Sequence, residues 1–171
     1  GRPGPDFQFG YGIMNAEQAV LALEGRQYMM GTVSHGQAIT HKIVVPKGIE
    51  GLRVMVVWND PPAAKASAWG DRTLVNDLDL SVSVGGKSYL PWVCNPRKGH
   101  VEDNAKRRVD NLNNIEQVTL TSSEIGGLNE VEVTVLGSEV GQGTQDFALT
   151  WCYDRKMPRV ISPADGMLLT P

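Results

Sequence analysis

Apolar and polar residues alternate with a period of two through most of the chain after Tyr28. In NDLDLSVSV, Leu78, Leu80 and Val82 fall on one side of an extended chain, and the acids and serines fall on the other. Eight stretches of β character are separated by Gly, Pro, Asn and Asp: YMMGTVSH, AITHKIVV, LRVMVVWN, LDLSVSV, KSYLPWV, IEQVTLT, EVEVTVLG and DFALTWCY. The pattern predicts a mainly β fold, an antiparallel jelly-roll-like β-sandwich of about eight strands.

One N-terminal α-helix is predicted ahead of the strands, in NAEQAVLALEG. Asn15 is a suitable N-cap with Gln18 three residues later, and Gly25 supplies the stop. The helix carries an apolar stripe formed by Ala19, Val20 and Leu23. The preceding GPDFQFGYG, rich in glycine and aromatic residues, predicts a bent segment held against a surface.

Charge and hydropathy argue against several classes of partner. The formal net charge of -3 gives no long-range attraction for nucleic acid or an anionic membrane, and no apolar run reaches the length of a membrane span. The basic run Lys106–Arg108 lies in a long polar loop, residues 95–114, and is flanked by Glu102, Asp103 and Asp110, which disfavours nucleic-acid binding.

Catalytic motifs are absent from the sequence. No serine lies in a tight glycine-rich turn, and the three histidines, in or beside early strands or in the charged loop, are poor partners for a nucleophile. HExxH, phosphate-binding glycine loops and Rossmann fingerprints are also missing. Cys94 and Cys152 can form one disulfide or remain two buried thiols. We therefore expect this chain not to be an enzyme.

Oxygen-bearing side chains concentrate in WNDPPAA, LVNDLDL and VDNLNNIE, at the ends of predicted strands. Carboxylates and amide carbonyls suit calcium, although Asp and Asn also favour turns for their own hydrogen bonding. Asp77 and Asp79 are expected to face water together and to repel unless a cation or a basic neighbour offsets them. The basic candidates are Arg72, Lys106 and Arg107. A calcium ion at one rim would offset these two acids as well as a basic neighbour would, and its candidate ligands in these stretches are Asp60, Asp77, Asp79, Asp110 and Asn114.

The run from WNDPPAA through LVNDLDLSV and DNLNNIEQVTL to GTQDFALTW resembles the β-sandwich accessory domain that follows the catalytic domain in some secreted bacterial subtilisin-like serine proteases. That domain is similar to the P-domain of proprotein convertases. FGYGIMNAEQAV looks like the segment and final helix with which a subtilase catalytic domain ends. The Asp-Gly, HGT and GTSMA segments of the family have no counterpart here.

The resemblance implies three parts: a remnant of a catalytic domain in residues 1–26, an accessory sandwich in residues 28–154, and a linker into a further domain in residues 155–171. It implies a secreted or cell-surface protein, bound calcium, and contact with a catalytic subtilase domain of the same chain. The accessory domain is expected to stabilise that catalytic domain and to modulate substrate access.

A carbohydrate- or surface-binding module is the alternative function, because jelly rolls often bind sugars through exposed aromatic side chains. Trp69, in AKASAWGDR, is the candidate for such contact. Trp58 and Trp151 are expected in the core, and Trp92 is expected to pack as well. A single exposed tryptophan makes a weak platform for a sugar.

Overall fold

Ten strands and two short helices form the part of the chain that the computed structural model describes, which is residues 4–63, 72–141 and 143–155. The helices are α1 (Ala16–Glu24) and α2 (Ser122–Ile125). The strands are β1 (Tyr28–Val33), β2 (Ala38–Val44), β3 (Ile49–Trp58), β4 (Asp77–Val84), β5 (Lys87–Tyr89), β6 (Trp92–Val93), β7 (Lys106–Arg107), β8 (Ile115–Thr121), β9 (Glu130–Glu139) and β10 (Gln145–Arg155). The predicted mainly β fold is confirmed.

Two four-stranded antiparallel sheets form the sandwich. Sheet I has the order β1-β10-β3-β8, and sheet II has the order β2-β9-β4-β5. The predicted strand KSYLPWV is two short strands instead, because Pro91 has no backbone N–H to donate to a ladder. The second of them, β6, pairs with β7 inside the long polar loop. That loop, predicted without regular structure, is therefore tied down by a two-stranded ribbon.

The inward faces of the two sheets form the core. Sheet II contributes Leu78, Leu80 and Val82, which are fully buried as the alternation predicts. Sheet I contributes Trp58 and Phe147 from its two central strands, together with the alternate valines and leucines of β3, β8 and β10. Burial of this apolar surface is the main stabilising term for such a sandwich, at roughly 25 cal/mol per Å².

Helix α1 begins and ends where the sequence predicts. The Asn15 side chain accepts a hydrogen bond from the Gln18 amide at 3.0 Å, and Gly25 closes the C-terminus. None of its residues is buried, and Leu23 of the apolar stripe is 63% exposed. Beyond the helix, the Gln27 carbonyl accepts from the Trp151 amide at 3.1 Å, which fixes the end of α1 to β10.

The segment before α1 lies against the sandwich, as the sequence predicts. Asp6 and Gly10 form a small bridge, and the Tyr11 hydroxyl donates to the Ile115 carbonyl at 3.1 Å. The Cys94 thiol donates to the Pro5 carbonyl. These bonds place the segment over β8, close to the rim where the predicted site residues lie.

Candidate functional site

The three oxygen-rich stretches meet at one rim of the sandwich. Asp60, after β3, accepts hydrogen bonds from the amides of Val75 and Asn76 at 2.8 and 2.7 Å. Asn114 lies just before β8, and its side-chain amide donates to the Trp58 backbone carbonyl at 2.8 Å. The Asn114 backbone carbonyl accepts a hydrogen bond from the Trp58 backbone amide. WNDPPAA is thereby joined to both LVNDLDL and VDNLNNIE.

A second set of polar bonds fixes the same rim. Asn76 is buried, accepts from the Gly141 amide and donates to the Gln145 side chain at 2.8 Å. The Trp58 indole donates to the Asn76 carbonyl at 3.0 Å. Since Asn76 immediately precedes β4, this network sets the position from which the two acids of that strand project.

Asp77 was expected to face water, and the structure shows that this was wrong. The residue is 5% exposed, because the register between β4 and β9 shifts between Asp77 and Leu78 and interrupts the regular alternation. Arg72 donates to one oxygen of Asp77 at 3.3 Å and lies closer to Glu139, at 2.6 Å. Of the three basic candidates, Arg72 therefore pairs with Asp77, and Arg107 pairs with Glu124 instead.

Glu116 of β8 belongs to the rim and was not predicted. It points into the sandwich and is fully buried, and its Oε2 accepts the Leu80 amide at 2.6 Å. Strand β5 ends opposite Val82, so its ladder does not reach the Leu80 amide at the edge of β4. In IEQVTLT, Glu116 shares the inward face with Val118 and Leu120, and an acid at such a position was the available signal.

Asp110 comes from the loop that leads into β8. It is 1% exposed, and its two oxygens accept from the Leu112 amide at 3.0 Å and from the Asn113 side chain at 2.7 Å. This is a turn in which the Asp side chain organises its own loop. Asp110 adds negative charge to the rim but already has hydrogen-bond donors for both oxygens.

Burial and repulsion from neighbouring acids raise the pKa values of Glu116 and Asp77 at this rim. Burial raises the pKa of Glu116 to about 10, and the charges of Asp110, Asp79 and Asp77 add to the effect. Burial and Asp79 raise the pKa of Asp77 to about 6. The positive charge of Arg72 lowers the pKa of Asp77, but burial and the charge of Asp79 have the larger effect. Four acidic side chains thus interact in one partly dehydrated region.

Three carboxylate oxygens of this group are buried without a hydrogen-bond partner in the described part of the chain: Asp77 Oδ1, Asp79 Oδ1 and Glu116 Oε1. Buried polar oxygens are normally paired, because a buried oxygen without a hydrogen-bond partner costs about 1–3 kcal/mol. As they stand, no three Asp, Glu, His or Cys side chains within the described ranges are arranged to hold a metal ion. The rim therefore holds three buried carboxylate oxygens for which the described residues supply no hydrogen-bond donor.

The other candidate residues play structural roles or lie outside the described residues. Trp69, the candidate for sugar contact, lies outside them. Trp92 donates to Thr119 at 2.7 Å and stacks on the Arg107 guanidinium, 4.8 Å from its ring centre. Cys94 and Cys152 are free thiols, which decides between the two alternatives for the cysteines.

A scan against protein-family models gave no match, and no curated protein matches the chain. Among the described residues, no helix is long and apolar enough to cross a membrane.

Proposed function

We propose that this chain is a non-catalytic accessory domain of a secreted bacterial subtilisin-like serine endopeptidase. The domain stabilises the catalytic domain of that protease and modulates substrate access. The similarity of LVNDLDL and NNIE to subtilase accessory sandwiches supports the proposal, and so does the β-sandwich that carries them. A stable sandwich fixed at one end to a neighbouring domain is a suitable brace, because it adds buried contacts to the folded state alone.

The observation that carries the proposal is the exposed apolar surface of α1 and the segment before it. Helix α1 has nine residues and buries none of them. Isolated helices shorter than about 12–15 residues are marginal in water, so α1 needs a covering partner. Phe9, Ile13 and Met14 are also exposed, and Ile13 is 98% exposed. An apolar surface of this kind marks an interaction site, and we propose a catalytic domain as the partner.

Calcium at the rim is the second part of the proposal. The buried unpaired oxygens of Asp77 and Asp79 are hard donors of the type that calcium prefers, and Asp110 adds charge nearby. An ion that binds only the folded state would raise the stability of the sandwich by mass action. Extracellular calcium is abundant enough to fill sites of modest affinity.

The test begins with the secreted protein from the source organism. An antibody raised against residues 28–155 would detect the protein, and a fluorophosphonate probe would label an active serine hydrolase. We expect one band to carry both signals and to be larger than this chain. An antibody-positive band that never reacts with the probe would contradict the proposal.

Substitution of α1 then tests the docking surface within that protein. Leu23→Glu places a charge on the α1 surface, and Val44→Glu is a matched control on strand β2, where Val44 is 69% exposed. We expect Leu23→Glu to shorten the half-life of the protease on heating and Val44→Glu to leave it unchanged. Equal half-lives for the two variants would place the catalytic domain elsewhere.

A further inference from the structure

A cavity of about 310 Å³ lies between the segment before α1 and the sandwich. Its walls come from three stretches: the segment before α1, the chain around β6, and the chain that leads into β8. Two hydrogen bonds join these walls. The Cys94 thiol donates to the Pro5 carbonyl at 3.2 Å, and the Tyr11 hydroxyl donates to the Ile115 carbonyl at 3.1 Å. The cavity is therefore formed before any ligand binds, which is usual for small-molecule sites.

Three aromatic residues line this cavity. Phe7 and Tyr11 come from the segment before α1, and Trp92 comes from β6. Phe7 is 45% exposed and Tyr11 is 37% exposed, so a ligand in the cavity would cover aromatic surface that now contacts water. The faces of aromatic rings are negative and attract cations, and pockets built from several rings bind quaternary ammonium groups.

One carboxylate lines the same cavity. Asp6 uses a single oxygen, Oδ1, to accept two backbone amides of its own turn. Burial is the main reason why the pKa of the Cys94 thiol is raised, and the charge of Asp6 is the next. Asp110 adds to the effect, and each of the two acids acts more strongly there than the opposing charge of Arg108. Negative charge therefore dominates at this wall, to which a cation is complementary.

From the aromatic walls and the carboxylate together, we infer that this cavity binds a methylated ammonium group such as that of choline. Such a group is a bulky cation with an apolar surface, so its methyl groups pack against rings while its charge interacts with Asp6. The described residues that line the cavity include no acid of the rim and no residue of α1. The inference therefore goes beyond the proposed function and does not depend on it.

Two arginines lie near the cavity without filling it. Arg107 stacks on the Trp92 ring, but its charge is paired with Glu124 at 2.9 Å. Arg108 donates to the Cys94 backbone carbonyl. Neither arginine is among the described lining residues, which include no basic side chain. An uncharged apolar ligand of the same shape is the alternative occupant, because the rings would accommodate it as well.

The experiment is an NMR titration of the isotope-labelled chain with choline chloride, with sodium chloride at matched concentrations as the control for ionic strength. The neutral analogue, in which a tert-butyl group replaces the trimethylammonium group, is titrated in parallel. We expect choline to shift the amide resonances of the segment before α1 with a Kd on the order of 10⁻³ M. The neutral analogue should bind at least ~10-fold more weakly.

Two substitutions separate the charge from the rings. Asp6→Asn removes the charge and keeps the Oδ1 acceptor of the turn, so it should weaken choline binding by about 3-fold and leave the neutral analogue unaffected. Phe7→Leu keeps an apolar side chain without a ring and should weaken choline binding at least ~3-fold. Phe9→Leu is the matched control, because Phe9 is 67% exposed on the same segment and is not among the residues that line this cavity.

The inference is overturned if choline does not bind, if the neutral analogue binds as tightly, or if Phe9→Leu weakens choline binding as much as Phe7→Leu does. Sedimentation with phosphatidylcholine vesicles would assign the ammonium group to a lipid head group. Choline binding without sedimentation would assign it to a free small molecule, and either result supports the site. None of these outcomes would affect the docking test with Leu23→Glu.

Discussion

Replacing Glu116 by Gln should stabilise the calcium-free domain at neutral pH. The ordinary pKa of a glutamate is 4.5, and burial raises that of Glu116 to about 10 in the folded state. At pH 7 the folded state therefore holds a proton that the unfolded chain releases. Since pH 7 lies about 2.5 pH units above 4.5 and each unit corresponds to 1.36 kcal/mol, this difference costs about 3 kcal/mol.

Because folding raises the pKa of Glu116, this residue destabilises the folded state more as pH rises above 4.5. A carboxyl whose pKa is raised by folding contributes its stability fully below pH 4.5 and loses it progressively as pH rises toward 10. Gln has the same shape and is neutral at every pH, and its carbonyl can still accept the Leu80 amide. The advantage of Glu116→Gln should be absent at pH 4 and should grow by about 1.4 kcal/mol per pH unit above 4.5.

Urea unfolding of both proteins at pH 4, 6, 7 and 8 in excess chelator measures this difference. Equal m-values would confirm that the variant alters stability alone. A Glu116→Gln domain that is less stable than the original at pH 7, or an advantage that does not change with pH, would refute the reasoning. Because the other rim acids are present in both proteins, their direct contributions largely cancel in the comparison.

Three further predictions concern the sandwich itself. Gly31→Ala should lower the free energy of unfolding by about 1–3 kcal/mol, because the added methyl group would overlap the Phe147 ring; urea unfolding measures the loss, and an unchanged midpoint would contradict it. Arg107→Lys should lower the free energy of unfolding by about 1–2 kcal/mol, since lysine keeps the charge but loses the paired bonds to Glu124 and the stacking on Tyr89 and Trp92. A double-mutant cycle with Glu124→Gln measures the contribution of the Arg107–Glu124 pair. In this chain alone, Leu23→Glu should change the free energy of unfolding by less than about 0.5 kcal/mol, because α1 buries no residue; a larger loss in thermal unfolding would show that α1 supports the isolated sandwich.

The strands were predictable because their alternation is local. The inward positions Leu78 and Leu80 follow from the sequence alone, since successive side chains of a strand point to opposite faces. The break in KSYLPWV was marked by Pro91, which cannot donate to a ladder. The pairing of β6 with β7 joins residues just before the long polar loop to residues inside it, and no local pattern signals it.

The rim was predictable only in part. The sequence indicated three stretches rich in Asp and Asn, which are common where strands end, and the structure brings these stretches together. The position of Asp77 was predicted wrongly, because a shift in register depends on the partner strand β9 and not on β4 itself. Glu116 was missed because its role depends on where β5 ends, which is a property of sheet II and not of β8.

A buried glutamate at position 116 needs a physical reason, since the free energy that it costs is large compared with the stability of a typical domain. The Leu80 amide supplies part of the reason, because it requires an acceptor at the edge of β4. A glutamine would meet that requirement without the pH-dependent cost. What glutamine cannot supply is a side chain whose protonation differs between the folded and unfolded states. Glu116 therefore makes the stability of the sandwich depend on pH, and urea unfolding of Glu116→Gln over the pH series measures how large that dependence is.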